Sequence, residues 1–231
     1  MKTSQIWIIA MVVAVFISVG VTYWVTASKG KSVGSTYEMA SGKSPFTKGA
    51  EEHFKKGHDF LREKKLDEAL KSFEEAVKLS PDTAVAHYWV GMIYFYKKDT
   101  EKAIAKFKKV LDIDPKNYHA QGMIGKILSF DKAKLDQAIA ELQKALEINP
   151  DYAEAHFDLG RIYALKGDSN RAITEFGIIF RTEPQYAVYH FELGRIFESM
   201  KANDRAKKEY ARALQLNPEF TPAKEALQKI K

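Results

Sequence analysis

Four histidines recur at nearly regular intervals, and their spacing raises the question of a metal site. His53, His87, His156 and His190 lie 34, 69 and 34 residues apart, as equivalent positions of a repeating unit would. Zinc ligands must converge on one ion at about 2 Å. Equivalent residues of stacked helices are about 8–10 Å or more apart, which is the usual distance between packed helices. We therefore expect no metal site and interpret these histidines as packing residues.

Motifs for enzymatic chemistry are missing from the sequence. It contains no cysteine, which excludes disulfides, thiolate metal sites and a cysteine nucleophile. It also lacks a glycine-rich phosphate loop, a nucleophile elbow and a helical zinc motif. Neighbouring carboxylates such as Glu74 and Glu75 have the spacing of solvated helix faces. We predict that the protein is not an enzyme and that it uses no cofactor.

The positive charge is concentrated near the N-terminus. The formal net charge is +6, and residues 1–49 contain five lysines and one acidic residue, a balance of +4. The remaining residues, 50–231, therefore carry only +2. A nearly neutral folded part argues against a nucleic-acid partner, which would require a basic patch or stripe.

An uncharged segment at residues 6–27 predicts a single transmembrane helix. Its 22 residues would form a helix of about 33 Å, enough to cross a hydrocarbon core of about 30 Å. Trp7 lies near one end and Tyr23 and Trp24 near the other, where aromatic side chains anchor a span at both interfaces.

A cleaved signal peptide is the alternative for this segment. Val25 and Ala27 are small enough to precede a cleavage site at Ser28. The apolar run is long for a signal peptide, and Lys2 is the single charged residue before it. These two features favour a retained anchor.

Two further features accompany the predicted anchor. Ala10, Ala14 and Ser18 are spaced four residues apart and form a small-residue face that could contact another transmembrane helix. Residues 28–49 are rich in glycine, serine and lysine and show no helical period. We predict that they form a flexible tether, with a root-mean-square span of about 25 Å.

The rest of the chain is an internal repeat. Five prolines, Pro81, Pro115, Pro150, Pro184 and Pro218, are separated by 34, 35, 34 and 34 residues. The longer spacing indicates one extra residue in the third unit, which we place between its two helices. With each proline numbered 32 and this residue left out of the numbering, position 8 is always glycine: Gly57, Gly91, Gly125, Gly160 and Gly194. Position 20 is always alanine: Ala69, Ala103, Ala138, Ala172 and Ala206. Positions 11, 24 and 27 are apolar at helical spacing.

This pattern resembles the tetratricopeptide repeat (TPR) family over residues 50–218. The resemblance implies an all-α fold in which five pairs of helices, A and B, stack into a right-handed superhelix. The repeats would span about 50–83, 84–117, 118–152, 153–186 and 187–220, and the amphipathic residues 221–231 predict a capping helix. We expect each glycine at position 8 to allow close packing of helix A against the alanine at position 20 of helix B.

The resemblance also implies a concave groove lined by positions 2, 5, 9, 12 and 13 of the A helices. The predicted groove residues are Phe54, Tyr88, Met92, Phe95, Tyr96, Lys126, Phe130, Phe157, Arg161, Phe191 and Arg195. They would present an aromatic stripe beside a row of three cations. Such a groove fits a peptide that has apolar side chains and a carboxylate, because arginine binds carboxylates in a bidentate manner. Alternatively, the rings pack against neighbouring helices and the cations are solvated.

One known type of TPR groove is not supported. Repeats that clamp acidic chaperone tails carry lysine, asparagine and arginine at fixed groove positions, whereas Phe54, His58 and Trp89 occupy such positions here.

We therefore predict a membrane-anchored TPR scaffold that binds a protein or peptide segment. Its outline resembles bacterial envelope proteins that assist the assembly of membrane complexes, which is an analogy of architecture. The alternative is a permanent accessory subunit of a membrane complex.

Lysines after the span favour a cytoplasmic array by charge counting. The family outline favours an extracytoplasmic array at the inner membrane, and this is the orientation we expect.

Overall fold

The computed structural model describes residues 46–182 and 185–230. These residues form helices and no strands, which confirms the all-α prediction. The helices are α1 (Lys48–Arg62), α2 (Leu66–Leu79), α3 (Ala84–Tyr96), α4 (Thr100–Ile113), α5 (Tyr118–Leu128), α6 (Leu135–Ile148), α7 (Ala153–Leu165), α8 (Ser169–Thr182), α9 (Ala187–Ser199), α10 (Asn203–Leu216) and α11 (Thr221–Lys229). The predicted span, its contact face at Ala10, Ala14 and Ser18, and residues 28–45 of the tether lie outside the described residues.

The helices form five A/B pairs that stack in chain order. Each odd-numbered helix from α1 to α9 packs against the helix that follows it, and each B helix packs against the next A helix. Helix α11 packs on α10 at the end of the stack, in the place of the predicted capping helix. Helix α1 begins at Lys48, so residues 48 and 49 are helical, although the tether was expected to extend through residue 49. None of the described helices is long and apolar enough to cross a bilayer.

The extra residue of the third repeat is located between its two helices. A 3-10 turn at Lys132–Lys134 separates α5 from α6, and Asp131 caps it by accepting a hydrogen bond from the amide of Ala133. An insertion in this connection leaves the packing faces of both helices in register. The remaining A–B connections are short, and each contains a residue in the left-handed region: Lys64, Lys98, Gly167 and Lys201.

The glycines at position 8 face aromatic or leucine side chains at position 24 of helix B. A Cβ atom on Gly160 would lie 2.7 Å from Cε2 of Phe176, and one on Gly194 would lie 2.5 Å from Cε1 of Tyr210. The expected approach of the position-20 alanine is present in the third and fourth repeats, but the nearest atoms to the glycine there belong to the position-24 side chain. The alanine contributes its backbone carbonyl, as Ala138 does 3.1 Å from the Cβ position of Gly125. The small alanine lets the helices approach, and the position-24 side chain fills the space above the glycine.

The position-4 histidines of the fourth and fifth repeats join helix A to helix B through hydrogen bonds. In the fourth repeat, the Nδ1 atom of His156 lies 2.6 Å from Oε2 of Glu175, and Nε2 lies 2.9 Å from the carbonyl oxygen of Pro150. His190 contacts Glu209 in the same way at 2.8 Å. Burial lowers the pKa of His156, but the hydrogen bonds to Glu175 and Pro150 outweigh this and leave the pKa raised. These histidines are thus buried polar links as well as packing residues.

The second repeat lacks this link, and restoring it is expected to stabilise the fold. His87 keeps the Nε2 contact with Pro81 at 2.8 Å, but its buried Nδ1 atom has no hydrogen-bond partner among the described residues. Lys106 occupies the position of Glu175. We expect Lys106→Glu to raise the pKa of His87 and to increase the free energy of unfolding by about 1 kcal/mol, the usual net value of a hydrogen bond. Urea denaturation measures this, with Lys108→Glu as the control for charge alone.

Candidate functional site

The A helices form a continuous surface along one side of the stack. Helices α5 and α7 contact each other directly, as do α7 and α9, in addition to their contacts with B helices. Positions 5 and 9 of each A helix are one turn apart and share a face. The predicted groove residues at these positions therefore form two adjacent rows along this surface.

The aromatic side chains at position 5 point back toward their own B helices. The ring of Phe54 lies 5.3 Å from that of Phe73, and the ring of Phe157 lies 5.9 Å from that of Phe176. Both residues are buried, with 6% and 9% of their surface exposed. Tyr88 and Phe191 are partly exposed and make the same contact with position 24 of their repeats. The structure thus favours the alternative in which these rings mainly stabilise each repeat.

The first two repeats contribute a separate aromatic cluster. The His58 ring makes edge contacts with Phe54, Phe73 and Trp89, at centroid distances of 4.8, 5.2 and 4.5 Å. Phe46, just before α1, packs on Phe54 at 4.6 Å. Burial, with a smaller contribution from Arg62, lowers the pKa of His58 to about 4. The neutral imidazole is therefore part of an apolar surface at this end of the groove.

Stability is expected to fall when His58 is forced to take a proton. Its pKa is about 4 in the fold and 6.5 when unfolded, so its contribution is complete above pH 6.5 and is lost as the pH decreases toward 4. The difference corresponds to roughly 3 kcal/mol at most. We expect His58→Phe, which keeps the aromatic contacts, to flatten the dependence of unfolding free energy on pH between 7 and 5. Parallel curves for the variant and the original protein would contradict this account.

The third repeat has Gly122 at position 5, and a tyrosine from the next repeat fills the gap. A Cβ atom on Gly122 would lie 2.6 Å from Cε1 of Tyr152. Tyr152 is buried and also contacts Tyr118 and His119 at ring distances of 5.1 and 5.3 Å. Burial raises the pKa of its hydroxyl well above the usual value. Tyr152 was not predicted from the sequence, although a lone glycine in a row of aromatic residues is a signal that another ring fills the space.

The three cations at position 9 differ in their surroundings. The Nζ atom of Lys126 lies 3.4 Å from a carboxylate oxygen of Asp158, and their side chains are 15% and 5% exposed. Arg195 forms an exposed pair with Glu192 at 3.1 Å. The guanidinium of Arg161 lies 5.8 Å from the centre of the Phe157 ring and forms no ion pair with any described residue. Asp158 and Glu192, both at position 6, were not predicted. The Lys126–Asp158 pair depends on the register between two helices, whereas the i, i+3 spacing of Glu192 and Arg195 within α9 could have indicated their pairing.

Four other predicted groove residues lie toward the end of the A helices. Met92 packs partly buried among residues of the second and third repeats. Phe95 and Tyr96 are partly exposed and occupy the last turn of α3. Phe130 follows the end of α5, is 60% exposed, and stacks on Phe95 at 6.1 Å. This part of the predicted groove therefore continues onto the edge of the array. In the described part of the chain, no group of three or more histidine or carboxylate side chains could hold a metal ion.

A stack of A/B helix pairs, with the A helices along one side, defines a helical-repeat protein. Models of the tetratricopeptide repeat match residues 54–118, 128–167 and 187–220. The chain belongs to the tetratricopeptide repeat family, and proteins of this family bind peptide or protein partners.

Several solved structures share the fold. TTC0263, a TPR protein of Thermus thermophilus, aligns with a TM-score of 0.65 at 23% identity and covers 78% of this chain and 97% of its own. YrrB, described as a TPR protein with an unusual peptide-binding site, gives 0.58 at 23% identity over 76% and 90%. PilW, described as a type IV pilus biogenesis factor, gives 0.67 at 21% identity over 74% and 78%.

Two relatives are similar over shorter stretches. The Hsp70-Hsp90 organising protein of Plasmodium falciparum is 39% identical over 54 residues, which are 23% of this chain and 10% of the relative. The chloroplastic TPR protein PYG7 of Arabidopsis thaliana is 41% identical over 61 residues, or 26% of this chain and 20% of the relative. The chain thus spans a fifth or less of the length of these relatives.

Proposed function

We propose that this protein is a membrane-anchored TPR scaffold that binds a protein or peptide segment on its A-helix face and assists the assembly of an envelope or membrane complex. The apolar segment at residues 6–27 supplies the anchor, and the array is extracytoplasmic. A neighbour described as a pilus biogenesis factor supports this class of role, and a neighbour described as having a peptide-binding site supports the use of the groove.

The observation that carries the proposal is the row of cations on adjacent A helices. Lys126, Arg161 and Arg195 occupy the same position of three consecutive repeats. Arg161, in the centre, rests on the Phe157 ring and has no carboxylate partner among the described residues. A ligand carboxylate would form an ion pair with the Arg161 guanidinium, because guanidinium binds carboxylates through two parallel hydrogen bonds. The aromatic cluster around His58 and Trp89 would bind the apolar part of the same ligand.

An accessory subunit remains the second candidate, and one observation favours it. Because Phe54 and Phe157 are buried against their own B helices, the groove offers less apolar surface than the sequence predicts. A permanent partner would then be held by other faces of the array and by the small-residue face of the predicted anchor.

Cross-linking from single cysteines distinguishes the two functions, because the chain has no cysteine of its own. A thiol-linked photo-crosslinker at Met92→Cys would lie in the groove, and one at Lys108→Cys on the outer face of α4. We expect the partner in native membranes to be cross-linked from position 92 and not from position 108. A partner captured from position 108 alone would replace the scaffold proposal by the accessory-subunit proposal.

A further inference from the structure

Large apolar side chains are exposed along one edge of the array, where the A helices end and turn into the B helices. Phe130, Leu165 and Met200 are 60%, 62% and 44% exposed. They occur at or just beyond the ends of α5, α7 and α9. Phe95 and Tyr96 extend the row into the second repeat. We call this the turn edge, defined by the connections 63–65, 97–99, 129–134, 166–168 and 200–202.

Lysines alternate with these apolar side chains. The five connections of the turn edge contain eight lysines and four acidic residues. The opposite edge carries the reverse balance: connections 80–83, 114–117, 149–152 and 217–220 contain one lysine and four acidic residues. The array is therefore polarised, with a basic and apolar edge facing away from an acidic one.

Three of these lysines occupy a backbone conformation that suits glycine better. Lys64, Lys98 and Lys201 have φ angles of 59°, 62° and 59°. The corresponding residue of the fourth repeat is Gly167, with φ of 80°. A residue with a Cβ atom has a higher free energy than glycine when its backbone is in the left-handed region. All three lysines are exposed, and none of them forms an ion pair with a described residue. An unfavourable conformation that presents a charge to solvent points to a role outside the fold.

We propose that the turn edge lies against an anionic lipid surface. Exposed aromatic and aliphatic side chains that alternate with lysines are the composition of interfacial membrane-binding elements. The apolar side chains would enter the boundary between headgroups and acyl chains, and the lysines would contact lipid phosphates. Each lysine near an anionic surface strengthens the association by about 5-fold. A membrane is favoured over a protein partner because the row extends across four repeats and is not centred on the open hollow lined by Lys166, Asp168, Arg171 and Met200.

This inference is independent of the groove. It would orient the A-helix face beside the bilayer, so that a partner emerging from the membrane could reach the cation row. Loss of lipid contact would leave binding of a soluble partner segment unchanged, and loss of partner binding would leave lipid contact unchanged.

The test uses a polarity-sensitive dye attached to single cysteines of the full chain, reconstituted into vesicles. Phe130→Cys and Leu165→Cys place the dye on the turn edge. Leu79→Cys and Ile148→Cys, at residues 47% and 37% exposed, place it toward the opposite edge. The vesicles contain phosphatidylcholine alone, or two parts phosphatidylcholine and one part phosphatidylglycerol. We expect the dye at 130 and 165 to enter an apolar environment in the anionic vesicles, and the dye at 79 and 148 to remain in water.

Charge removal provides the second arm of the test. The triple change Lys64→Gly, Lys98→Gly and Lys201→Gly removes three charges. It also places glycine at three positions whose backbone is in the left-handed region. We expect this change to lower the ratio of arrays in contact with the vesicle surface to arrays free of it by about 100-fold. The control Lys71→Ala, Lys108→Ala and Lys208→Ala removes three exposed lysines from B helices and should leave the ratio unchanged. An equal dye response at both edges, no response to phosphatidylglycerol, or an equal effect of the two triple changes would overturn the proposal.

Discussion

Gly160→Ala is expected to destabilise the array by about 1–3 kcal/mol, the usual cost of overpacking a core. The added methyl group would lie 2.7 Å from one carbon of the Phe176 ring and 3.0 Å from another. Phe176 is fully buried, and Phe157 packs on its edge, so the ring has little room to move. Helices α7 and α8 would have to separate, which weakens the repeat at the centre of the cation row.

Gly177→Ala is a matched control with the opposite expected sign. Gly177 lies in α8, and no atom is within 4 Å of the position where its Cβ would be. In an open helical position, alanine is better than glycine by about 1 kcal/mol. The melting temperature of residues 46–231, followed by helical circular dichroism, should therefore decrease for Gly160→Ala and increase for Gly177→Ala. A decrease for both would show that close A/B packing is not the cause.

Asp158→Ala is expected to cost about 3 kcal/mol, because removing one partner of a buried ion pair leaves the other charge uncompensated. Asp158 and Lys126 belong to adjacent repeats, and both side chains are largely shielded from water. The change should therefore loosen the junction between the third and fourth repeats. Hydrogen exchange of amides in α5 and α7 would locate the loss.

Glu192→Ala provides the exposed counterpart of this change. Its partner Arg195 is 59% exposed, and an exposed pair contributes about 0–1 kcal/mol.

Replacing both members of the buried pair by apolar residues, with Lys126→Met and Asp158→Leu together, should recover much of the stability lost in Asp158→Ala. If Asp158→Ala and Glu192→Ala have the same effect, burial does not determine the strength of the Lys126–Asp158 pair.

The helix pairs could be predicted from the sequence because their signals are local and repeated. The glycine at position 8, the alanine at position 20 and the proline at position 32 each recur five times. The inserted residue of the third repeat could also be placed, because the period lengthens there and the surrounding residues break the helical pattern. Its position between α5 and α6 agrees with that expectation.

The surroundings of the groove residues could not be predicted in the same way. Position 5 lies on the border between the groove and the A/B contact, and a rotation of one side chain decides whether Phe157 faces solvent or Phe176. The pairing of Lys126 with Asp158 depends on the register between α5 and α7. Tyr152 fills the space above Gly122 from a connection outside the A-helix pattern. Each of these depends on contacts between elements rather than on spacing within one.

The affinity of the cross-linked partner for two double variants tests the central claim most directly. Arg161→Ala with Arg195→Ala removes two cations from the groove, and Lys108→Ala with Lys109→Ala removes two from the outer face of α4. We expect the groove pair to weaken binding by about 100-fold, which corresponds to roughly 2.7 kcal/mol, and to remove most of its salt dependence. The outer-face pair should change the affinity little, and helicity should be unchanged in both. Weakened binding for the outer-face pair, with unchanged binding for the groove pair, would contradict recognition in the groove.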